Sequence, residues 1–444
     1  MRAVLILIVT LAVLAAGDGL FRRARAGGRV EIELSVWGMP FENALYLDEY
    51  IPQFERENPD IRVRFHHFDN YSNRILMLRA GGIAPDVMRQ NTESGAQFIR
   101  RGMNLALDRY IDGPDGIDRS DFIPIIWDSL RYRGRTYGMP QDINIRGLYY
   151  NRDLFDAAKL SYPDETWTWE HLKKAAAVFS DPARNGGKGL AALAVGFKGV
   201  DWLPFYYQAG GRVWNQDQNV LHVATPEGVE ALTFFKSVGG GYVINQSSSE
   251  RGGLGPYTYF QNGQAAMLID GSWRTPQLKK SAPKLRFGVA PLPRGRRAMS
   301  ISTSCYWGIS AQTKHPDQAW ELAKFLSARE QLIRYWQYLW VAPPARWSAL
   351  RSAEFRRVTG AGENSPAIPT AAEFQEKCGW IPHTLEHGQT TTEFIGPFTR
   401  QLYDRLNYAV EDVLLQGADP QTALQRTERE MAEQIREVEK SFVD

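Results

Sequence analysis

The sequence predicts an α/β fold divided between two lobes, and three observations carry that reading. Val30, Ile32, Leu34 and Val36 alternate with polar residues as in a strand, and Ala44, Leu47, Ile51 and Phe54 then recur at helical spacing. Ile61, Val63 and Phe65 alternate again, so the segment is a strand–helix–strand unit, which normally means parallel strands. Third, a chain of 444 residues with 43% hydrophobic content exceeds what one core usually organises.

The remaining elements follow in order. Pro52 lies inside the first helix and should kink it by removing a backbone donor, and Asn58-Pro59-Asp60 ends it. Asn73 to Ala80 reads as helix and Pro85 to Met88 as a short buried strand. Thr168 caps a helix running to Phe179, with Glu170 and His171 in its first turn. Asn215 to Asn219 imitates the start of a calcium loop, but Val220 stands where its sharp turn needs glycine, so a hairpin turn is expected. Gly239 to Gly241 and Arg251 to Gly253 bound a surface loop. Leu285 to Ala290 is a strand closed by Pro291-Leu292-Pro293, and Pro316 to Ser327 is a helix burying Ala319, Leu322, Ala323 and Leu326. Leu402 to Gln416 is a helix stopped by Gly417. Asp419 caps the last helix, with Pro420 at its first position and Leu424, Met431, Ile435, Val438 and Phe442 along its buried stripe.

Composition narrows the function. The 52 basic and 50 acidic residues balance to +2 without a clustered basic face, which argues against nucleic acid. Arg2 and the apolar run Val4 to Ala16 fit an export signal, since thirteen residues are too few for the roughly 20 that span a bilayer. Residues 1–26 are therefore expected to be a signal peptide or a short N-terminal anchor. Ala24-Arg25-Ala26 and Leu14 to Gly17 are competing cleavage sites, and Arg22, Arg23 and Arg25 keep an uncleaved anchor open as an alternative. No cysteine follows the run, so a lipid anchor is not expected. Cys305 and Cys378 are read as two buried thiols. Cys378 with His383 and His387 lacks a fourth ligand, and neither metal nor cofactor is expected. Catalytic signatures are missing: there is no G-x-S-x-G elbow, H-E-x-x-H or phosphate loop, so the protein is not expected to be an enzyme.

Five separated motifs add a layout. These are IAPDV at Ile83 to Val87, GRTYGMP at Gly134 to Pro140, LYYNRDLF at Leu148 to Phe155, TWTWEHL at Thr166 to Leu172, and FQNGQAAMLIDGSW at Phe260 to Trp273. In this order they resemble the extracellular solute-binding proteins that feed sugar-importing ABC transporters, a family that includes maltose-binding and glycerol-phosphate-binding proteins. The resemblance runs from about Ile32 to the C-terminus. It implies the type II periplasmic binding protein fold, with a ligand cleft between lobes that close about a three-segment hinge. The chain would cross near Asp142, near Gly295 and near Pro343-Pro344. Residues 29–142 and 296–342 would then form the N-terminal lobe, and 143–295 and 343–444 the C-terminal lobe.

A sugar presents hydroxyls and weakly polar C–H faces, so its cleft wants aromatic plates beside carboxylates, amides and arginine. Trp37-Gly38 closes the first strand, where a parallel sheet offers its carboxyl end to a ligand. Trp273, delivered by a strand and an Asp-Gly-Ser turn, matches the family's stacking tryptophan; packing under a loop is the alternative reading. Asn91 and Glu93 follow the IAPDV strand, where relatives place polar ligand contacts; a solvated loop charge is the alternative reading of Glu93. Asp142 and Asn144 lie beside the first expected crossing, with Asp142 either a hydroxyl acceptor or a turn aspartate. Asp201 and Trp202 precede an aromatic segment and a glycine pair, as in relatives. Where relatives often have a glycine pair this chain has Ser302 to Trp307, so either Tyr306 or Trp307 is an additional plate or the pocket is smaller than in relatives. Arg346 matches a basic position that meets ligand oxygens in some relatives, or serves as an interlobe salt bridge.

The expected function is capture of a mono- or oligosaccharide by an exported, periplasmic, monomeric protein that delivers it to the transmembrane subunits of an ABC permease. A phosphorylated polyol is the alternative ligand, and a carbohydrate-active enzyme a further alternative class.

Overall fold

The first sheet is built on the strand–helix–strand unit. Val30–Val36 pairs in parallel with Ile61–His67 on one side and with Val87–Asn91 on the other, and Cys305–Ile309 and Met139–Pro140 extend the sheet antiparallel. These contacts come from a computed structural model, which describes residues 28–38, 40–181, 190–196, 199–215, 220–239, 255–339, 342–356, 377–392 and 399–440. The expected export segment, most of the Gly239 to Gly253 loop and the side chains of Glu93, Val438 and Phe442 lie outside that description.

The expected kink at Pro52 takes a specific form. Helix Pro40–Ala44 widens into a π-helical stretch, Leu45–Tyr50, before α-helix Ile51–Glu57 resumes, and the Ile51 N–H reaches back to the Tyr46 carbonyl. Proline has no N–H and its ring crowds the carbonyl four residues earlier, so a widened turn just before it removes the conflict. Leu45, Tyr46 and Phe54 are still buried against Ile32, Leu34 and Trp307.

The second sheet is centred on Asn144–Asn151. Ala265–Gly271 pairs antiparallel along one edge and in turn holds Ala191–Ala194 in parallel. The other edge is shared: Ser300–Thr303 pairs with Asn144 and Ile145, and Phe287–Ala290 with Leu148 to Asn151. Thr390–Thr392 lies outermost, beside Ser300–Thr303. Helices Gly199–Gln208, Thr399–Leu415 and Pro420–Lys440 cover this sheet through an apolar cluster that includes Leu193, Phe205, Leu406, Leu424, Met431 and Ile435. Gly417 has φ +72°, which a glycine adopts without strain, and the Thr422 N–H donates to the Asp419 carboxylate at 2.9 Å. The stop and start expected between the last two helices are thus both present. The Thr168 cap is reciprocated by His171, whose Nδ1 accepts the Thr168 N–H at 3.1 Å. Trp214–Asn215 and Val220–Leu221 pair antiparallel, as the hairpin reading requires.

The chain passes from the first sheet to the second between Pro140 and Asn144, and returns between Thr303 and Cys305. The return corrects the crossing expected near Gly295: Ser300–Thr303 is still a strand of the second sheet, and only Ser304 separates it from a strand of the first. At Pro343 and Pro344 the chain runs beside the first passage. The Ile143 N–H donates to the Pro343 carbonyl at 2.8 Å, and Asp142 forms a backbone bridge with Pro344. Helix Thr92–Arg100, which follows the first sheet, packs against helix Thr399–Leu415 of the second.

Candidate functional site

At the carboxyl ends of the three parallel strands the first sheet opens into a pocket of about 540 Å³. Trp37 and Gly38 leave the first strand into it, His67 and Phe68 leave the second, and Gln90 and Asn91 end the third. Its far wall is the start of helix Tyr71–Ala80, with Tyr71 and Asn73. Parallel strands deliver their last residues to one edge, which is why positions distant in sequence converge here. Of the expected site residues, Trp37, Gly38 and Asn91 line this pocket. The Phe68 to Asn73 stretch and Gln90 were not expected, although His67 ends the second strand as Trp37 follows the first.

Behind Trp37 is a buried polar cluster that no sequence pattern disclosed. Arg89 donates from Nη1 to the Trp37 carbonyl at 2.8 Å and to Glu42 Oε2 at 2.7 Å. Its Nε donates to Gln141 Oε1 at 3.0 Å and its Nη2 to the Tyr335 hydroxyl at 2.7 Å. The guanidinium also faces the Trp37 ring, 4.8 Å from its centroid. Gly38 is required beside it: φ is +147°, and a Cβ there would fall 2.4 Å from Glu42 Oε2.

Arg89 Nη2 stands 3.9 Å from Asp142 Oδ2. The other oxygen, Oδ1, accepts the Cys305 N–H at 2.7 Å and the Asn144 side-chain amide at 3.3 Å. Burial pushes the Asp142 carboxyl up to about 6 against the opposing pull of Arg89 and the Cys305 hydrogen bonds. Asn144 then accepts the Ser272 hydroxyl at 3.2 Å, and Trp273 is the next residue. A polar chain therefore runs from Trp37 through Arg89, Asp142 and Asn144 to the Trp273 turn. Asp142 and Asn144, expected as ligand contacts, are buried links of this chain instead.

Trp273 itself is only half-buried and belongs to none of the apolar clusters, so it does not pack under a loop as core. It precedes helix Arg274–Ser281 with its indole over Gly271, where a Cβ would fall 1.9 Å from the ring. An Asp270–Arg274 ion pair at 2.6 Å spans the same turn.

Five other expected ligand contacts lie elsewhere in the fold. Trp202 is fully buried and stacks on Tyr206 in the second-lobe core. Tyr306 and Trp307 lie on a central strand whose two faces are both covered; the Tyr306 ring fits against Gly95 and Gly138, and Trp307 meets Tyr46 edge-on. Arg346 is a structural pin: Nη1 pairs with Asp121 at 3.1 Å, Nε donates to the Ser327 carbonyl, and its guanidinium lies 3.9 Å from the Phe122 ring centroid. Asp201 is buried and paired with Arg146 at 3.0 Å. Cys305 and Cys378 are both buried and neither is in a disulfide, in keeping with the reading of two buried thiols. His383 and His387 stack in the open with centroids 4.1 Å apart.

A sequence model of the bacterial extracellular solute-binding proteins matches residues 41–332. The chain belongs to that family. A binding protein of Brucella abortus is 25% identical over 337 residues, covering 73% of this chain and 78% of the other. The maltooligosaccharide ABC transporter solute-binding lipoprotein of Streptococcus pneumoniae is 28% identical over 303 residues, 64% of this chain and 66% of the other. Among solved structures, a Listeria monocytogenes ABC substrate-binding protein in complex with cycloalternan superposes with a TM-score of 0.75 at 24% identity, over 92% of this chain and 99% of that one. The fold is the two-lobed one of these solute-binding proteins.

Proposed function

We propose that the protein binds a neutral carbohydrate between its lobes and hands it to an ABC permease, without chemical turnover. The observation that carries the reading is the pocket wall. Trp37, Phe68 and Tyr71 offer aromatic surface, and Asp69, Asn73, Gln90 and Asn91 offer hydroxyl partners. Among the described lining residues none is Lys or Arg, and the arginine behind Trp37 is engaged by Glu42 and held close to Asp142. Among the described lining residues a phosphorylated polyol would find neither Lys nor Arg to meet its charge, only the His67 imidazole, which already contacts the Gly38 carbonyl at 3.2 Å, whereas a neutral sugar brings only hydroxyls and C–H faces. The maltooligosaccharide protein of Streptococcus pneumoniae and the cycloalternan complex support a glucan over a single pyranose.

Trp273 would supply the opposing plate from the second lobe as the passages at Asp142, Ser304 and Pro343 bend. On this reading the first lobe comprises the segment ending at Asp142 and that from Cys305 to Pro343, and the protein works as an exported monomer. Among the described residues no helix is long and apolar enough to cross a membrane.

A thermal-shift screen with maltose, maltotriose, monosaccharides and glycerol 3-phosphate tests the proposal. A neutral sugar should raise the melting temperature by mass action, and unchanged sugar should be recovered afterwards. Stabilisation by glycerol 3-phosphate alone would overturn the neutral-ligand reading, and hydrolysis products would overturn the absence of turnover.

A further inference from the structure

Trp37 is a half-exposed ring at the end of a strand, and such a ring has rotamers to lose when a ligand stacks on it. Here both its backbone and its ring are held from behind by one side chain. Arg89 reaches the Trp37 carbonyl and indole face with the same guanidinium that bonds Glu42, Gln141 and Tyr335. Those partners come from separate elements: Glu42 from the helix after the first strand, Gln141 from the first passage between the sheets, and Tyr335 from helix Arg329–Leu339. The guanidinium cannot shift without disturbing all of them, so it fixes Trp37 to the frame from which the lobes diverge. Its approach to Asp142 then continues through Asn144 and Ser272 to the turn that carries Trp273.

We infer that Arg89 is a positioning residue for carbohydrate binding, which orders the Trp37 plate and ties it through the Asp142–Asn144–Ser272 chain to the Trp273 plate on the other lobe. This rests on the carbohydrate reading of the site for its purpose, but not for its geometry. Arg89 is shielded from the pocket by Trp37, to which it is fastened. A lysine in its place keeps the charge but cannot make the four fixed hydrogen bonds.

The test has two arms. In the first, acrylamide quenching is measured on the ligand-free protein, and the Trp37 contribution is isolated as the difference between each protein and its Trp37→Phe counterpart. Arg89→Lys should raise the quenching constant of that component, with the remaining tryptophans unchanged. In the second, maltotriose affinity is measured through a double-mutant cycle. Arg89→Lys should weaken binding by about tenfold when Trp37 is present and by less than about twofold in the Trp37→Phe background, because its effect passes through that ring. A role confined to stability would give equal losses in both backgrounds, and that result, or an unchanged Trp37 component in a folded variant, overturns the inference. Tyr335→Phe removes one of the bonds while leaving the charge, and carries the same two arms if Arg89→Lys does not fold. Wild-type protein that binds no maltotriose counts against a glucan ligand, and the quenching arm then decides the positioning role by itself.

Discussion

The carboxylate of Asp142 accepts the backbone N–H of Cys305 at 2.7 Å, and so fastens the first passage between the lobes to the second. The Asp142 backbone also bridges Pro344, which brings the third segment to the same point. One cation, Arg89, faces two buried carboxylates here, Glu42 and Asp142, and the tyrosine hydroxyls of Tyr46 and Tyr335 add no charge. A proton on Asp142 makes the cluster neutral.

The folded Asp142 titrates near 6, because burial outweighs the attraction of Arg89, while the unfolded residue titrates near about 3.9. Between these values the native state holds a proton that the unfolded chain has released. Stability should therefore fall as pH rises from about 4 to about 6, by about 3 kcal/mol from this one group. Asp142→Asn keeps an oxygen for the Cys305 N–H and should remove that slope. Melting temperatures of both proteins across this range check it, and parallel profiles would show that another group dominates.

Arg346 offers the converse case, a residue with binding chemistry that the fold has already used. It holds the Asp121 segment to the Pro343-Pro344 passage and covers Phe122, with both charges largely out of solvent. Arg346→Ala should cost about 3 kcal/mol of stability by removing the cation beside Asp121 and the cover over Phe122, leaving Asp121 only its Ser348 hydrogen bonds. Sugar affinity of the folded fraction should stay within about twofold of wild type, since the lost contacts are structural. Chemical denaturation and calorimetric titration of the same preparation separate the two effects.

The two cysteines should be silent in the native protein. Burial pushes the Cys305 thiol well up, and the Asp142 carboxylate beside it adds to the shift, so almost no thiolate is available. Cys378 is equally buried, within the cluster that contains Trp380 and Leu385. An aromatic disulfide reagent should find no reactive thiol in buffer and both in denaturant, with reaction of either under native conditions opposing this placement.

What was legible in the sequence was whatever periodicity and local chemistry determine. The alternation at Val30 to Val36, the Thr168 cap and the Asp419-Pro420 start depend on residues a few positions apart, and each is present in the fold. The errors share a cause. Tyr306 and Trp307 become candidate plates because bulky residues stand where relatives often have a glycine pair, but Cys305–Ile309 is an internal strand buried on both faces, so both rings are taken up by packing. Trp202 was similarly ambiguous, since a tryptophan before a glycine pair serves a cleft or a core equally well. Arg89 could not be found at all: its partners Glu42, Gln141 and Tyr335 lie 47, 52 and 246 residues away, and only the folded topology brings them together.

Trp273 supports the sharpest test of the second plate, because its position can be disturbed without deleting it. The ring is half-exposed and outside the apolar clusters, so Trp273→Ala should lower stability by about 1 kcal/mol or less. If the indole stacks on sugar, the same change should weaken binding by about 1 to 3 kcal/mol. Gly271→Ala separates the presence of the ring from its placement. The new methyl would lie 1.9 Å from the indole and must push it off its present seat, while the half-exposed ring has solvent to move into. Affinity should then fall as it does for Trp273→Ala, and the double variant should lose no more than either single one. Calorimetric titration of the three variants with maltotriose, beside their ligand-free melting curves, reads this out. Wild-type affinity in Gly271→Ala with the indole displaced would mean that the ring is not where the sugar binds, and the second plate would have to be sought elsewhere on that lobe.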